Sequence, residues 1–530
     1  MKKILEDLKV PLMYSVGIFA MLTGYHYWQD HYIKPAPKGN PPASLQSHVD
    51  SKGNIVLDQS TKKTSPVINI KSDNIILTVD LIGGNIIGAK LPKYTNSLTD
   101  KSPVSVLTDA SKNFQIVEFG VVGDYNMRYH LASKGLEMQP NSNTLEVRLE
   151  GKDKNGLEVT KNITLFKNRY DILIDTTVAN KSGTSWEGHF YQQIKRSEPV
   201  VEQGVGRRTY HGMSYFQTNK PYTKLDYSDM QKHDLSTDVK GGWVAGQAHY
   251  FLTALVPDSN QTQHYFSATQ GEKDKYILGI ISPKVTLSPG ESSAYTSKLY
   301  LGPENVTALN KLAKGLGMTI DYGFLWFLSE AMMWLLVKIQ MLVGNWGVSI
   351  ILVTFVVKLI FYNFSNKSFR SMAKMSKLAP KLKQIQEEFK DDKPRLQQEI
   401  MNFYREEKVN PMSGCFPMLV QLPFFIALYW MLIESIELRQ APFFFWIHDL
   451  SAKDPMYILP ILMGASMLAQ QLFTDSKGQD PSQRQMMLVI PVVFTVVFMN
   501  FPSGLVLYML TNNLLSMAQQ SWVKYQVSNE

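Results

Sequence analysis

The sequence predicts a polytopic α-helical membrane protein that carries a large all-β domain outside the bilayer. Three observations predict it. Apolar stretches crowd the N-terminus and the last third of the chain; the middle is polar and built from short β-branched runs; and one cation, Lys358, sits alone among the charged residues of the C-terminal apolar spans.

Composition sets the outer limits. A chain of 530 residues is too long for one ordinary domain. The mean hydropathy of −0.14 averages polar and apolar regions, so it hides spans that a sliding window finds. The single cysteine, Cys415, excludes an internal disulfide and any cysteine-based zinc or redox motif. A net charge of +8 is compatible with nucleic-acid binding. The basic residues of the last third, however, gather in one segment beside apolar spans, which favours a topological signal over a DNA-binding face.

After Met1, Lys2 and Lys3, the stretch Val10 to Tyr27 is apolar and is followed by Trp28, Gln29, Asp30 and His31, not by a small-residue cleavage site. An uncleaved anchor with a cytoplasmic N-terminus is expected. Five further spans are expected: Trp346 to Tyr362, Cys415 to Ile433, Met456 to Phe473, Gln485 to Phe501, and Leu505 to Val523. Each approaches the roughly 20 residues a bilayer requires. Pro417, Pro423, Pro460 and Pro491 fall inside them, which neighbouring helices tolerate in a bundle. Phe324 to Val343 is also apolar, but counting it as a span would put Asn363 to Gly414, with 11 Lys/Arg against 7 Asp/Glu, outside the cell. Its apolar positions Leu325, Leu328, Met332, Leu335, Ile339 and Leu342 recur at three and four, as in a helix lying along the interface.

Between anchor and core, His31 to about Pro66 is rich in Pro, Lys, Ser and Asn and reads as a linker. Strand-like runs then recur: Ile75 to Leu81, Phe114 to Val122, Leu157 to Phe166, Tyr170 to Val178, His249 to Val256, and Ala294 to Leu301. Ile172, Ile174, Thr176 and Val178 alternate as in a half-buried strand. Lys154, Asn155 and Gly156 supply hairpin chemistry. A β-sandwich is expected. His189, His211, His233, His249 and His264 share no metal-ligand spacing, so surface or internally bonded histidines are expected, and no metal site.

Within the basic segment, Met372, Met375, Leu378, Leu382, Ile385 and Phe389 form one apolar stripe, and Leu396, Ile400 and Phe403 a second. Asp391, Asp392, Lys393 and Pro394 stop one helix and start the next. A helical hairpin follows, read either as a spacer or as a basic arm for arriving chains, ribosomes or anionic lipid headgroups.

Lys358 is the chemically unusual residue. A charge in hydrocarbon costs about 2.5 to 3.5 kcal/mol on insertion scales. One reading is snorkelling, since Tyr362 lies one turn away, about 6 Å along the helix. The other is a polar site, because Thr354 shares its face, Gln421 lies in the second core span, and the last span carries Thr511, Asn512, Asn513, Ser516, Gln519 and Gln520. Those groups alternatively bond helix to helix. A wet groove would accommodate them and would shorten the dry path of a polar segment crossing the membrane. Apolar faces around Pro423, Phe424 and Phe425 would guide its hydrophobic part into lipid. No nucleotide loop, nucleophile elbow or carboxylate pair supports an enzyme or a bound cofactor.

The runs Val343 to Gly347, Ser371 to Met375, Asn410 to Pro423, Arg439 to Leu450 and Phe501 to Tyr508 resemble the YidC membrane-protein insertase family in its long form. The resemblance covers nearly the whole chain. It implies a periplasmic β-supersandwich, a cytoplasmic helical hairpin needed for activity, and a groove centred on a basic residue. Thr354, Gln421 and Tyr508 match groove positions, and Lys358 stands where the family usually has arginine. It also implies insertion of inner-membrane proteins, alone or with the Sec translocon, together with help to lipoproteins and respiratory-complex subunits. Ribosome contact would fall to the hairpin and to Thr474 to Arg484, because only Val523 to Glu530 follow Trp522.

The expected plan is therefore a signal-anchor (1–30), a linker (31–66), a periplasmic β-sandwich domain (67–322), an interfacial helix (323–345), a five-helix insertase core (346–523) containing the hairpin (363–414), and a short cytoplasmic tail (524–530). Both termini are expected in the cytoplasm. The substrate groove would comprise Lys358, Thr354, Gln421, Tyr508, Asn512 and Ser516. Nascent membrane proteins, the Sec translocon, the ribosome and membrane lipids are the expected partners. The competing readings are a secondary transporter with Lys358 as an ion site, and an anchored carbohydrate-active or binding domain.

Overall fold

The computed structural model describes residues 66–529 apart from 112, 125, 200–208, 271–274, 390–391, 408–415 and 474–480. The expected anchor, the linker before Pro66, and Asn410 to Cys415 lie outside the described residues. The described chain divides into two compact units, with the boundary at Asp321 and Tyr322.

The first unit is two nine-stranded antiparallel sheets and a small ribbon. In hydrogen-bonded order, one sheet runs Val67–Lys71, Ile76–Asp80, Ile86–Thr95, Gln115–Val121, Phe190–Arg196, Lys275–Ile281, Thr262–Gln270 and Ser236–Lys240, with Pro103–Leu107 paired to Ile86–Thr95. The other runs Thr223–Leu225, Met213–Tyr215, Val244–Ala248, Phe251–Pro257, Ser292–Pro303, Asp171–Asn180, Leu157–Phe166, Thr144–Lys152 and Tyr129–Leu131. Period-two patterning sets which face each strand buries. Ile172, Ile174, Thr176, Val178 and Asn180 are the buried positions of Asp171–Asn180, and Leu157, Val159, Ile163 and Leu165 are the buried uncharged ones of its neighbour. The hairpin between Thr144–Lys152 and Leu157–Phe166 turns at Gly156, whose φ of +92° a side chain would resist. Asp153 braces the turn, its carboxylate accepting from the backbone N–H of Asn155 and Leu157 at 2.9 and 2.7 Å.

One buried position of Leu157–Phe166 is charged. Lys161 has no exposed side-chain surface, and its ammonium lies 3.1 Å from Asp124. It donates to the carbonyls of Gly83 and Phe119, while the Phe119 and Tyr129 rings flank it at 4.9 Å. The Tyr129 hydroxyl donates to Asp124 at 2.8 Å. Lys161 thus joins one sheet to a strand and a loop of the other. Burial pushes its pKa down, against the pull of Asp124.

The second unit is helical. Its elements are α1 (Trp326–Val343), α2 (Trp346–Ile360), α3 (Tyr362–Glu388), α4 (Lys393–Glu406), α5 (Phe416–Glu434), α6 (Ile458–Phe473), α7 (Pro481–Phe498) and α8 (Ser503–Asn529). Gly344, at φ +70°, ends α1, and the Asn345 side chain caps α2 by accepting from Val348 N–H at 3.1 Å. Packing runs α7 on α6, α6 on α8, α8 on α2 and α3, α2 on α1, and α1 on α5. Gly464 lets α6 approach α7, since a β-carbon there would fall 1.9 Å from the Thr495 hydroxyl.

Several boundaries differ from the sequence expectation. The first core span ends at Ile360, where α2 and α3 meet at a 70° bend. Gly323–Val343, expected to lie along the interface, is the one unbroken described helix long and apolar enough to cross a bilayer, whereas Gln421–Glu434, Ile458–Phe473 and Leu488–Phe498 are shorter apolar helices. The last helix continues through Asn529, so most of the expected tail is helical. Helices α3 and α4 form at the two stripes, with Asp392 capping α4 through Arg395 N–H at 3.1 Å and Pro394 in its first turn. Lys381 and Glu407 pair across them at 3.0 Å. The stripe residues stay only half-buried, so the hairpin is zipped shallowly.

Candidate functional site

Lys358 occupies the last turn of α2 and is 9% exposed. Its ammonium donates to the Ser516 hydroxyl of α8 at 2.7 Å. Ser516 donates in turn to the Asn512 carbonyl at 2.7 Å. No carboxylate lies within ion-pair range of Lys358 among the described residues. An ammonium has three donors, so two remain without a protein acceptor there.

Of the other expected groove residues, Thr354 shares α2 with Lys358, and Tyr508 and Asn512 share α8 with Ser516. Thr354 is buried one turn away on α2, but its hydroxyl is held by the Ile350 carbonyl at 2.7 Å. Tyr508 is buried on α8 with its ring stacked 6.4 Å from Phe425. Phe424 packs edge-on against Phe361, beside the α2–α3 bend, at 4.7 Å. Pro423 is exposed, and Gln421 and Asn512 are half-buried. Of the remaining polar groups on the last helix, Asn513 faces α6, donating to Ser466 at 3.2 Å, and Gln519 donates to the Tyr362 carbonyl at 3.1 Å. Thr511 bonds its own helix. The polar company thus divides between Lys358 and ordinary helix-to-helix bonding.

Sequence reasoning missed a second assembly. The Asn345 amide donates to the Phe443 carbonyl at 3.3 Å, and a β-carbon on Gly347 would fall 2.1 Å from the Phe443 ring. Ser503 donates through its hydroxyl to the Ala452 carbonyl at 2.8 Å, and Gly504 N–H donates to the Leu450 carbonyl at 2.9 Å. Asp454, fully enclosed, accepts from Trp446 at 3.0 Å and from Leu459 N–H at 2.7 Å. Three of the quoted motifs therefore meet at the N-terminal ends of α2 and α8, away from Lys358. Their role there is closure. The signal was in the sequence, as glycines beside an aromatic-rich run. Gly347→Ala is expected to destabilise the helical unit by about 1 to 3 kcal/mol through overpacking on Phe443, seen as a lower thermal midpoint of the detergent-purified protein.

The surface of this unit is apolar to a degree water does not permit. Of the ten residues from Leu488 to Val497, eight are large, apolar and exposed. Trp326, Phe327, Trp334, Met341 and Leu342 of α1 are exposed as well. Such contiguous surface belongs in lipid.

Three of the five histidines considered above, His189, His211 and His264, are bonded within the β unit. His189 bonds the Ser282 carbonyl at 2.9 Å, His264 pairs with Asp238 at 2.8 Å, and His211 bonds Thr209 at 2.9 Å with its ring 6.4 Å from His249. His233 is exposed.

Residues 338–530 match the family described as 60Kd inner membrane protein, and residues 67–335 the family described as YidC periplasmic domain. The membrane protein insertase YidC of Coxiella burnetii (strain Dugway 5J108-111) is 39% identical over 98% of this chain and 96% of its own. That of Legionella pneumophila (strain Corby) is 37% identical over 99% and 98%, and that of Alcanivorax borkumensis 40% over 88% and 85%. With identity at this level from end to end, and with a β-rich unit joined to a lipid-facing helical one, the chain belongs to the YidC family of membrane protein insertases.

Proposed function

We propose that this chain inserts nascent proteins into the inner membrane by offering their polar segments a hydrated, positively charged groove. The supporting observation is Lys358 itself: a cation buried in the helical unit, bonded to one neutral hydroxyl and lacking a carboxylate partner among the described residues. A buried charge without a counter-ion is costly, and an acidic residue of an incoming segment relieves that cost. Attraction also lowers the dehydration barrier of the segment. No bond is made or broken, so the activity is mechanical and not enzymatic.

The groove comprises Lys358, Thr354, Gln421, Tyr508, Asn512 and Ser516. Pro423, Phe424 and Phe425 form the slide along which the hydrophobic part passes into lipid.

The topology that suits this mechanism has six spans, both termini in the cytoplasm, α1 along the periplasmic interface and the α3–α4 hairpin inside. Positive charge on the hairpin favours that orientation despite the span-like length of α1. The hairpin and the segment Thr474 to Arg484 would meet ribosomes and anionic headgroups, and the Sec translocon would share larger substrates. Lipoproteins and respiratory-complex subunits fall within the same substrate class.

Depletion of the protein tests the reading. Membrane integration of small two-span substrates is expected to fail, measured by protease protection of pulse-labelled chains, and unchanged integration would refute it. Removing most of residues 67–322 is expected to leave integration largely intact. Complete loss with a folded helical unit would end this division of labour.

A further inference from the structure

The last helix extends beyond the stretch expected to span, and its final turns, from Gln519 onward, are bonded to the start of α3, the end of α6 and the middle of α3. Gln519 donates to the Tyr362 carbonyl at 3.1 Å, beside the bend where α2 gives way to α3. Lys524 reaches the Phe473 carbonyl, in the last turn of α6, at 3.5 Å. Lys377 of α3 donates to the Val527 carbonyl at 2.5 Å.

The carbonyls of a helix's last turn lack intrahelical donors and carry the negative end of its dipole, so a lysine there satisfies both. Val523 and Val527 are buried while Trp522 and Tyr525 are exposed, which gives this part of α8 a packed face; Ser365 and Ser368 are the buried small residues of α3. Helix α8 lies against α3 and α2 alike. Ser516, two turns before Val523, holds Lys358.

We infer that the end of α8 is a positioning clamp, in which Lys377, Gln519 and Lys524 set the rotation and height of α8 and so keep Ser516 against the Lys358 ammonium. A helix is stiff over three turns, and α3 meets α2 at a bend. Pivoting of α3 about that bend therefore either breaks the Lys377 bond or moves Ser516. Lys377, Gln519 and Lys524 are positioning residues; they touch no substrate. The inference rests on the reading of Lys358 given above.

The test uses the full-length protein in vesicles of phosphatidylethanolamine and phosphatidylglycerol, with two substrates identical except that one external segment carries Asp and Glu and the other Asn and Gln. The readout is the ratio of acidic to neutral insertion, which loss of structural support alone does not change. Lys377→Met, and separately a chain ending at Trp522, are expected to lower that ratio about threefold, the equivalent of one interhelical hydrogen bond. Ser516→Ala is expected to lower it likewise, with no further fall in combination, and Lys377→Arg to retain it. Equal losses on both substrates, or an unchanged ratio in variants where Lys358→Ala does lower it, would overturn the clamp. An unchanged ratio in Lys358→Ala would overturn the reading of the site and the clamp with it.

Discussion

Replacing Lys358 with glutamate is expected to reduce insertion of substrates with acidic external segments by about tenfold, with a much smaller effect on neutral ones. Attraction becomes repulsion. Two unit charges about 4 Å apart interact by roughly 4 kcal/mol at an effective dielectric of 20, and hydration of the groove leaves a fraction of that. A tenfold change corresponds to about 1.4 kcal/mol. Lys358→Arg is expected to retain function, because an acidic group attracted to a point charge is also attracted to a guanidinium, although the planar fork adds a bidentate geometry lysine lacks. Lys358→Ala should fall between. Protease protection of radiolabelled substrates measures all three. Equal activity of the Lys, Ala and Glu forms on every substrate would return Lys358 to a snorkelling role.

The second large effect lies in the β unit. Lys161→Ala is expected to cost about 3 to 5 kcal/mol, the loss seen when one partner of a buried ion pair is removed. Asp124 would stay enclosed without its cation, and the Gly83 and Phe119 carbonyls would lose their donor. Scanning calorimetry of the full-length protein should show the β-unit transition moving down by about 10 °C, on the usual scale of 2 to 4 °C per kcal/mol for a domain of this size. The double variant Lys161→Met with Asp124→Leu should recover part of the loss, since removing both partners removes the orphaned charge. No recovery would mean that Lys161 acts chiefly through the two carbonyls.

These two lysines show how differently a buried cation is legible. Lys358 stood out because the three turns before it and the one after it are almost wholly apolar. Lys161 did not, because a strand places a polar residue at every second position, and period alone does not reveal that a lysine lies on the enclosed face. Its partners, Gly83, Phe119 and Asp124, come from distant parts of the chain. The polar residues of the last helix were legible as a group but not as individuals: spacing put Asn512, Ser516 and Gln520 on one face, yet Ser516 is the one that reaches Lys358, and Asn513 faces α6.

The family motifs carry the same lesson. In sequence they mark a resemblance; in the fold several of them close one end of the helical unit through Asn345, Gly347, Phe443, Leu450, Ser503 and Gly504. A backbone carbonyl has no signature in sequence, so its pairing with Asn345 or Ser503 was invisible.

From residue order alone came the division into a β-rich middle and a helical C-terminal part, the isolated cation, the hairpin turn at Gly156, and the break before α4. All of these rest on local periodicity, capping and turn chemistry, which act over a few residues. Tertiary structure decided which hydroxyl meets Lys358, that α2 bends away at Ile360, that the final helix runs on to Asn529, and that Lys161 joins two sheets. Those outcomes depend on side chains brought together across 40 to 160 positions of sequence, where packing and the need to satisfy buried polar groups take over from local preference.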